Sequence, residues 1–268
     1  GGPLLQVRRG EQDLRRDRYT PAAWLAYLRR VAARVREDLV ANPSAVRSIG
    51  LLALGYFTAT FLAAVAFAVT WDRAIAYVFL WSTGLWMLGA FPFVTLFVGL
   101  LRDRNGYRLS AVNVPIALTL LRVALVPGIT LFLVERHLLV ALVTYVVAAL
   151  TDVADGWIAR RWNQITPLGT VLDPLVDIVF NLVMLSGLSA AGLLADWVFW
   201  LAVLRYGILT VGAAGLYLFV GPVRIQPTSF GRATGVIMSA FIALFTLLAA
   251  VRGEIAERLT PLTEGALG

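Results

Sequence analysis

Asp152-Val153-Ala154-Asp155-Gly156-Trp157-Ile158-Ala159-Arg160 and then, eight residues on, Gly169, Asp173 and Asp177 set four carboxylates into a strongly apolar part of the chain. Residues 48–71, 74–101, 178–195, 206–223 and 233–251 carry no charged side chain. Runs of that length cross a hydrocarbon layer of about 30 Å as helices. They do not alternate at period two, as barrel strands would. With 59% hydrophobic residues and a mean hydropathy of +0.79, the chain is too apolar for an ordinary soluble domain. The expected fold is all-α, a polytopic transmembrane helical bundle with about seven spans. Acids inside such spans are costly, which makes all four aspartates candidate site residues.

The rest of the composition narrows the chemistry. There is no cysteine, so disulfides and thiolate metal sites are excluded. The single histidine, His137, sits in the short Glu135-Arg136-His137 turn between two apolar runs and reads as a turn residue. Any metal must therefore take oxygen ligands, which points to Mg²⁺, Mn²⁺ or Ca²⁺. The net charge is +7 and every basic residue is arginine. The arginines flank the apolar runs, so they read as topology signals and lipid-headgroup partners rather than as a nucleic-acid surface. The chain begins Gly1-Gly2, which reads as a trimmed start; seven spans put Arg252 and Arg258 on the outer side against the arginine rule, so either a further span beyond the last residue or an interfacial 252–260 segment is expected.

Three regions follow from the pattern of charge. Residues 1–45 form a polar arm. In it Thr20-Pro21 starts a helix that sets Trp24, Leu28, Val31, Val35 and Leu39 at steps of three and four, with Arg29, Arg30, Arg34, Arg36, Glu37 and Asp38 at other positions. This amphipathic helix is expected to lie on an anionic leaflet. Asn42-Pro43-Ser44 ends it, with Ser44 as the expected cap of the next helix. Residues 46–108 form an added hairpin, with spans at about 46–70 and 74–101 and no visible chemistry of its own. Residues 109–268 form the catalytic core, with spans starting near Asn113, Leu138 and Pro167, then at about 196–221 and 233–251. Alternating spans place the arm, loop 102–112, Arg160-Arg161 and loop 222–232 on one side, the cytoplasmic one by the excess of arginine.

Asp152 and Asp155 are three apart, and Asp173 and Asp177 four apart, so each pair shares a helical face. The short connection between them makes the two helices antiparallel neighbours, and the four acids can meet. Their charge of −4 would be balanced by two divalent cations. Gly156, Ala159 and Gly169 leave a groove beside the acids, and Arg160 can clamp a phosphate with two parallel hydrogen bonds. Metals, an arginine and backbone clearance suit a diphosphate.

At every fixed position the string Asp152-x2-Asp155-Gly156-x2-Ala159-Arg160-x8-Gly169-x3-Asp173-x3-Asp177 resembles the signature of the CDP-alcohol phosphotransferase (CDP-alcohol phosphatidyltransferase) family. The similarity spans about Asn113 to Met238 and five of that family's six core spans. It implies a membrane transferase that displaces CMP from a CDP-linked lipid, most simply CDP-diacylglycerol, by an alcohol hydroxyl to form a phosphodiester. It also implies two Mg²⁺ or Mn²⁺ ions on Asp152, Asp155, Asp173 and Asp177, with Asp177 as the general base. The implied nucleotide contacts are Asp152, Gly156, Ala159, Arg160, Thr166 and Gly169, together with Pro115-Ile116-Ala117-Leu118 and Thr119 ahead of Arg122. There Ile116 replaces the family's usual asparagine, for which Asn113 is the expected substitute. The family further implies a homodimer in a prokaryotic plasma membrane, its active site facing the cytoplasm.

Leu172-Asp173-Pro174 and Pro227-Thr228-Ser229-Phe230-Gly231-Arg232 resemble bacterial phosphatidylglycerophosphate and phosphatidylinositol-phosphate synthases, so the acceptor is expected to be a phosphorylated polyol. The first group usually has lysine where this chain has Ile178, and Gly-Lys where it has Gly231-Arg232. Arg205, Arg224 and Arg232 are the candidate ligands of the acceptor phosphate. Two other readings of intramembrane acids are a Mg²⁺-dependent prenyltransferase, which releases pyrophosphate, and an ion or proton transporter.

Overall fold

A computed structural model describes residues 20–219, Ile237 and residues 240–252. The described chain forms helices α1 (Pro21–Ala41), α2 (Pro43–Thr70), α3 (Arg73–Leu96), α4 (Val114–Val134), α5 (Leu138–Arg161), α6 (Pro167–Ala190), α7 (Asp196–Phe219) and α8 (Ala240–Arg252), with a single 3₁₀ turn at Val98–Leu100. No strand occurs among the described residues, and an isolated bridge between Arg102 and Arg108 closes the loop before α4. Among the described residues five helices, α2 to α6, are long and apolar enough to cross a membrane. The expected sixth span coincides with α7, and the expected seventh overlaps α8. Loop 222–232, with Arg224 and Arg232, lies outside the described residues.

Polar caps and prolines fix where the helices start. Thr20, Asn42, Asn113 and Thr166 each precede a helix with proline in its first two positions, and each side-chain oxygen accepts a backbone N–H of the first turn. Asn42, not the expected Ser44, caps α2. Its Oδ1 accepts from Ala45 N at 3.4 Å, while Ser44 lies inside the helix and donates its hydroxyl to that same oxygen at 3.2 Å. Proline at the first helical position leaves the cap to the residue before it, which is why Asn42 takes the role.

α4 is the centre of the bundle. Of its most apolar stretch 56% is buried, against 11% for α2, and it packs on α3, α5 and α6. One apolar cluster joins α4 to α5 and α6 through Ile129, Leu133, Tyr145, Phe180 and Met184. A second joins the hairpin to the start of α4 and α6 through Ile49, Met87, Ile116, Leu120, Leu168 and Leu172. Trp71, at the hairpin tip, stacks on His137, which sits in its expected turn, with ring centroids 4.8 Å apart.

The helix α1 has no buried residue, and Leu25, Leu28 and Val31 are exposed. Its last turns are pinned to the loop before α4 by Asp38, which pairs with Arg108 at 2.8 Å, Arg34 at 3.4 Å and Arg102 at 3.9 Å.

Candidate active site

The short turn between α5 and α6 reverses the chain. The last turns of α5 therefore stand beside the first turns of α6, with the first half of α4 packed against both. Each helix contributes two polar side chains at helical spacing: Thr119 and Arg122 from α4, Asp152 and Asp155 from α5, Asp173 and Asp177 from α6. The four aspartates meet as their spacing predicts, and they meet around Arg122.

Arg122 is 1% exposed. Its Nη2 donates to Asp152 Oδ1 at 2.5 Å and to Asp155 Oδ2 at 2.7 Å, and its Nη1 donates to Asp177 Oδ1 at 2.8 Å. The fourth acid, Asp173, is joined through Thr119. That hydroxyl lies 3.3 Å from Asp173 Oδ1, 3.2 Å from Asp155 Oδ2 and 3.1 Å from the Pro115 carbonyl. One hydroxyl proton serves three acceptors, so it can satisfy only one of them at a time. A planar guanidinium fork suits this arrangement, since it binds several carboxylate oxygens in fixed directions.

The acids are not equivalent. The Asp155 side chain is 8% exposed, whereas those of Asp152 and Asp177 are 49% and 53% exposed and open outward, as does Asp173. Each of the four keeps one oxygen with no partner among the described residues. Four carboxylates against one guanidinium leave an excess of three negative charges, carried entirely on oxygen. That donor set fits a hard divalent cation. Among the described residues no group of three or more acids or histidines stands as a preformed cage.

Arg122 is the central side chain that spacing alone undervalued. Balance between the acids and bound cations leaves it out, although it is a charged side chain in an apolar 21-residue helix, three positions after Thr119. That isolation was the available signal.

The residues around the acids divide by face. A Cβ at Gly156 would lie 3.2 Å from Arg160 Nη1, so the Arg160 guanidinium folds over the backbone that the glycine leaves bare. A Cβ at Gly169 would lie 3.4 Å from Thr166 Oγ1 and 3.9 Å from Asp173 Oδ2, beside the acid's outer oxygen. The Ala159 carbonyl accepts the backbone N–H of Gln164, closing the end of α5. Thr166 is buried and spends its hydroxyl capping α6, accepting from Gly169 N at 3.1 Å. Asn113 caps α4 and donates Nδ2 to the Gln164 carbonyl at 2.8 Å, tying α4 to the α5–α6 turn. A cleft of about 160 Å³ opens there between Asp103, Asn113, Asn163, Gln164, Ile165 and Thr166. The Gln164 Oε1 is buried with no hydrogen-bond partner among the described residues.

Ile116 lies on a different face from the acids. Its side chain is 1% exposed and packs with Met87 and Leu120 in the hairpin cluster, away from the acids. Helical periodicity explains it: Pro115, Thr119 and Arg122 share one face, and Ile116 and Leu120 the next. The side chain is thus unavailable to a nucleotide. The Ala117 carbonyl accepts from Tyr56 of the hairpin, and Leu118 is half-buried. Arg205 is exposed on α7, its guanidinium carbon 5.7 Å from the Tyr206 ring centroid, with no ion pair to a described residue.

Comparison with known proteins is consistent with this site. The sequence model described as CDP-alcohol phosphatidyltransferase matches residues 112–263, more than half the chain. A CDP-diacylglycerol--glycerol-3-phosphate 3-phosphatidyltransferase of Aquifex aeolicus (strain VF5) is 35% identical over 129 residues, which cover 47% of this chain and 71% of that protein. The enzyme of the same name from Pectobacterium atrosepticum is 48% identical over 77 residues, covering 27% of this chain and 42% of the relative. Human cardiolipin synthase (CMP-forming) is 37% identical over 83 residues, covering 31% of this chain and 28% of the relative. No solved structure matches the chain.

Proposed function

The chain belongs to the CDP-alcohol phosphatidyltransferase family, and we propose that this phospholipid head-group transferase takes its phosphatidyl group from CDP-diacylglycerol and passes it to a phosphorylated polyol, with release of CMP. Membership of this family sets aside the prenyltransferase and transporter readings. The observation that carries the proposal is the convergence of Asp152, Asp155, Asp173 and Asp177 around Arg122, with one oxygen of each acid left without a partner among the described residues and three of the acids opening outward. Glycerol 3-phosphate is the first acceptor to test, because two of the relatives carry it in their names.

In this reading Asp152, Asp155, Asp173 and Asp177 would hold Mg²⁺ or Mn²⁺, two ions because the excess of three negative charges is more than one divalent cation neutralises. The chemistry a bound divalent cation supplies is neutralisation of the diphosphate and of the charge growing on the departing CMP phosphate. The chain's own residues do the rest. Arg160, lying over the bare backbone of Gly156, clamps a donor phosphate, and Gly169 keeps the approach to Asp173 open. Asn113 and Thr166, at the cleft, border the nucleotide, with the Pro115 and Ala117 backbone and Leu118 near it. Asp177 has Oδ1 held by Arg122, so Oδ2 is the oxygen that takes the acceptor's proton. The acceptor oxygen then forms its bond to the diacylglycerol-bearing phosphorus, and the bond from that phosphorus to the CMP oxygen breaks. Arg205, with Arg224 and Arg232, binds the acceptor's phosphate.

The chain is an integral membrane protein. We place the site on the cytoplasmic face of a prokaryotic plasma membrane, because Arg102, Arg104, Arg108, Arg160 and Arg161 lie at the same helix ends as the acids. The exposed Leu25, Leu28 and Val31 of α1 suit contact with the lipid surface, and a homodimer is the proposed assembly.

The test is CMP release by the purified full chain in CDP-diacylglycerol micelles with Mg²⁺ or Mn²⁺. Glycerol phosphate, inositol phosphate, inositol, serine and choline-type acceptors are offered singly. Release confined to a phosphorylated polyol supports the proposal, and release with none of them overturns it. A phosphatidylglycerol arm covers the second reading, cardiolipin synthesis, favoured by the human and rat relatives.

A further inference from the structure

The hairpin α2–α3 lies outside the segment that matches the family, yet its polar side chains all but trace the backbone that delivers α4 to the acids. Asn42 Nδ2 donates to the Leu109 carbonyl at 2.9 Å, and Ser48 Oγ accepts from Val112 N at 2.9 Å. Tyr56 donates its hydroxyl to the Ala117 carbonyl at 2.7 Å, and Trp86 Nε1 donates to the Val123 carbonyl at 3.0 Å. The contacts from α2 climb in step, from 42 to 56 on one side and from 109 to 117 on the other, so α2 runs parallel to α4. Trp86 reaches the next turn from the returning helix.

The last of these bonds has a specific cause. Pro127 lies inside α4 and has no N–H, so the carbonyl four residues before it, that of Val123, has no intrahelical donor. In a hydrocarbon layer an unpaired carbonyl is costly, and neighbouring helices must satisfy it. Trp86 does so, at the residue directly after Arg122. Gly128, next to the proline, lets the hairpin close in: a Cβ there would lie 3.0 Å from the Phe79 ring.

We propose that the hairpin is a brace for the active site, and that Trp86 and Tyr56 are positioning residues that hold α4 in the register aiming Thr119 and Arg122 at the aspartates. They touch no reacting group and act through the α4 main chain. The activity readout rests on the phosphatidyltransferase reading. The structural readout does not.

The experiment is a double-mutant cycle in the full chain. Trp86→Phe keeps most of the ring and deletes the donor. It should lower kcat for CMP release about fivefold, the size of one hydrogen bond, while KM for CDP-diacylglycerol stays within about twofold. Adding Pro127→Ala returns an N–H to the helix and gives the Val123 carbonyl its own donor. In that background Trp86→Phe should change kcat by less than about twofold. Tyr56→Phe, which removes only a hydroxyl, is the second variant and should lower kcat in the same sense. Amide hydrogen exchange over residues 114–126 is read in parallel. It should quicken in Trp86→Phe and slow again in Trp86→Phe/Pro127→Ala. Unchanged exchange and turnover in Trp86→Phe, or a loss that persists with Pro127→Ala, overturns the brace. A wild-type chain that releases no CMP counts against the functional reading alone, and the exchange data still decide the brace.

Discussion

Arg122 determines how the acids behave as a group. Replacing it by leucine leaves Asp155 buried beside two like charges with no counter-ion, and removing one partner of a buried ion pair costs about 3–5 kcal/mol. Arg122→Leu should therefore lower the thermal midpoint and abolish CMP release. Arg122→Lys keeps the charge but loses the fork, and should retain the fold with reduced turnover. Asp177→Asn removes the proton acceptor while leaving Oδ1 able to accept from Arg122. It should cut kcat by about 100-fold or more with unchanged thermal stability, and wild-type turnover would sink the general-base role. Gly169→Ala adds a methyl at ordinary contact distance from Thr166, so folding should be spared while KM for the CDP-lipid rises. At this scale the acids were legible, because i,i+3 and i,i+4 spacing states which side chains share a face. The partnership with Arg122 was not, because it crosses between helices that spacing treats one at a time. The inward turn of Ile116 follows from the same periodicity, since it lies one position off the face shared by Pro115, Thr119 and Arg122.

Elements were the most legible scale. Thr20-Pro21, Asn42-Pro43 and Thr166-Pro167 mark helix starts because a capping oxygen and a proline each suit one position only. Asn42 and Ser44 flank Pro43 and either could cap α2, and proline at the first helical position decides for the residue before it. Caps here also serve the site, since α6 carries Asp173 and Asp177 within three turns of Thr166. Thr166→Val should cost about 1 kcal/mol of stability, measured by thermal unfolding in detergent. It should also reduce CMP release at temperatures where the fold persists, because the first turns of α6 lose their anchor.

For the molecule as a whole, orientation is directly testable because the chain has no native cysteine. In intact cells a membrane-impermeant maleimide should label Glu135→Cys, in the turn between α4 and α5. Asn105→Cys, in the loop before α4, should react only after lysis. The reverse pattern would put the site outside. The hairpin shows the limit of sequence reading at this scale. As apolar spans it was plain, but its bonds to α4 and the loop before it join residues 37 to 67 positions apart and end on main-chain atoms, to which side-chain patterns are blind.

The arginines at the mouth of the site also bear on how quickly substrates arrive. Asp38 absorbs part of the charge of Arg34, Arg102 and Arg108, and Arg104, Arg160 and Arg161 add to the surplus. A small anionic acceptor must come from bulk water across this rim, whereas the CDP-lipid travels within the bilayer plane. Long-range attraction speeds the first encounter and is screened over about 10 Å at 0.1 M ionic strength. Added salt should therefore depress kcat/KM for the acceptor much more than for the lipid, so that the two substrates of one reaction answer differently to the same buffer.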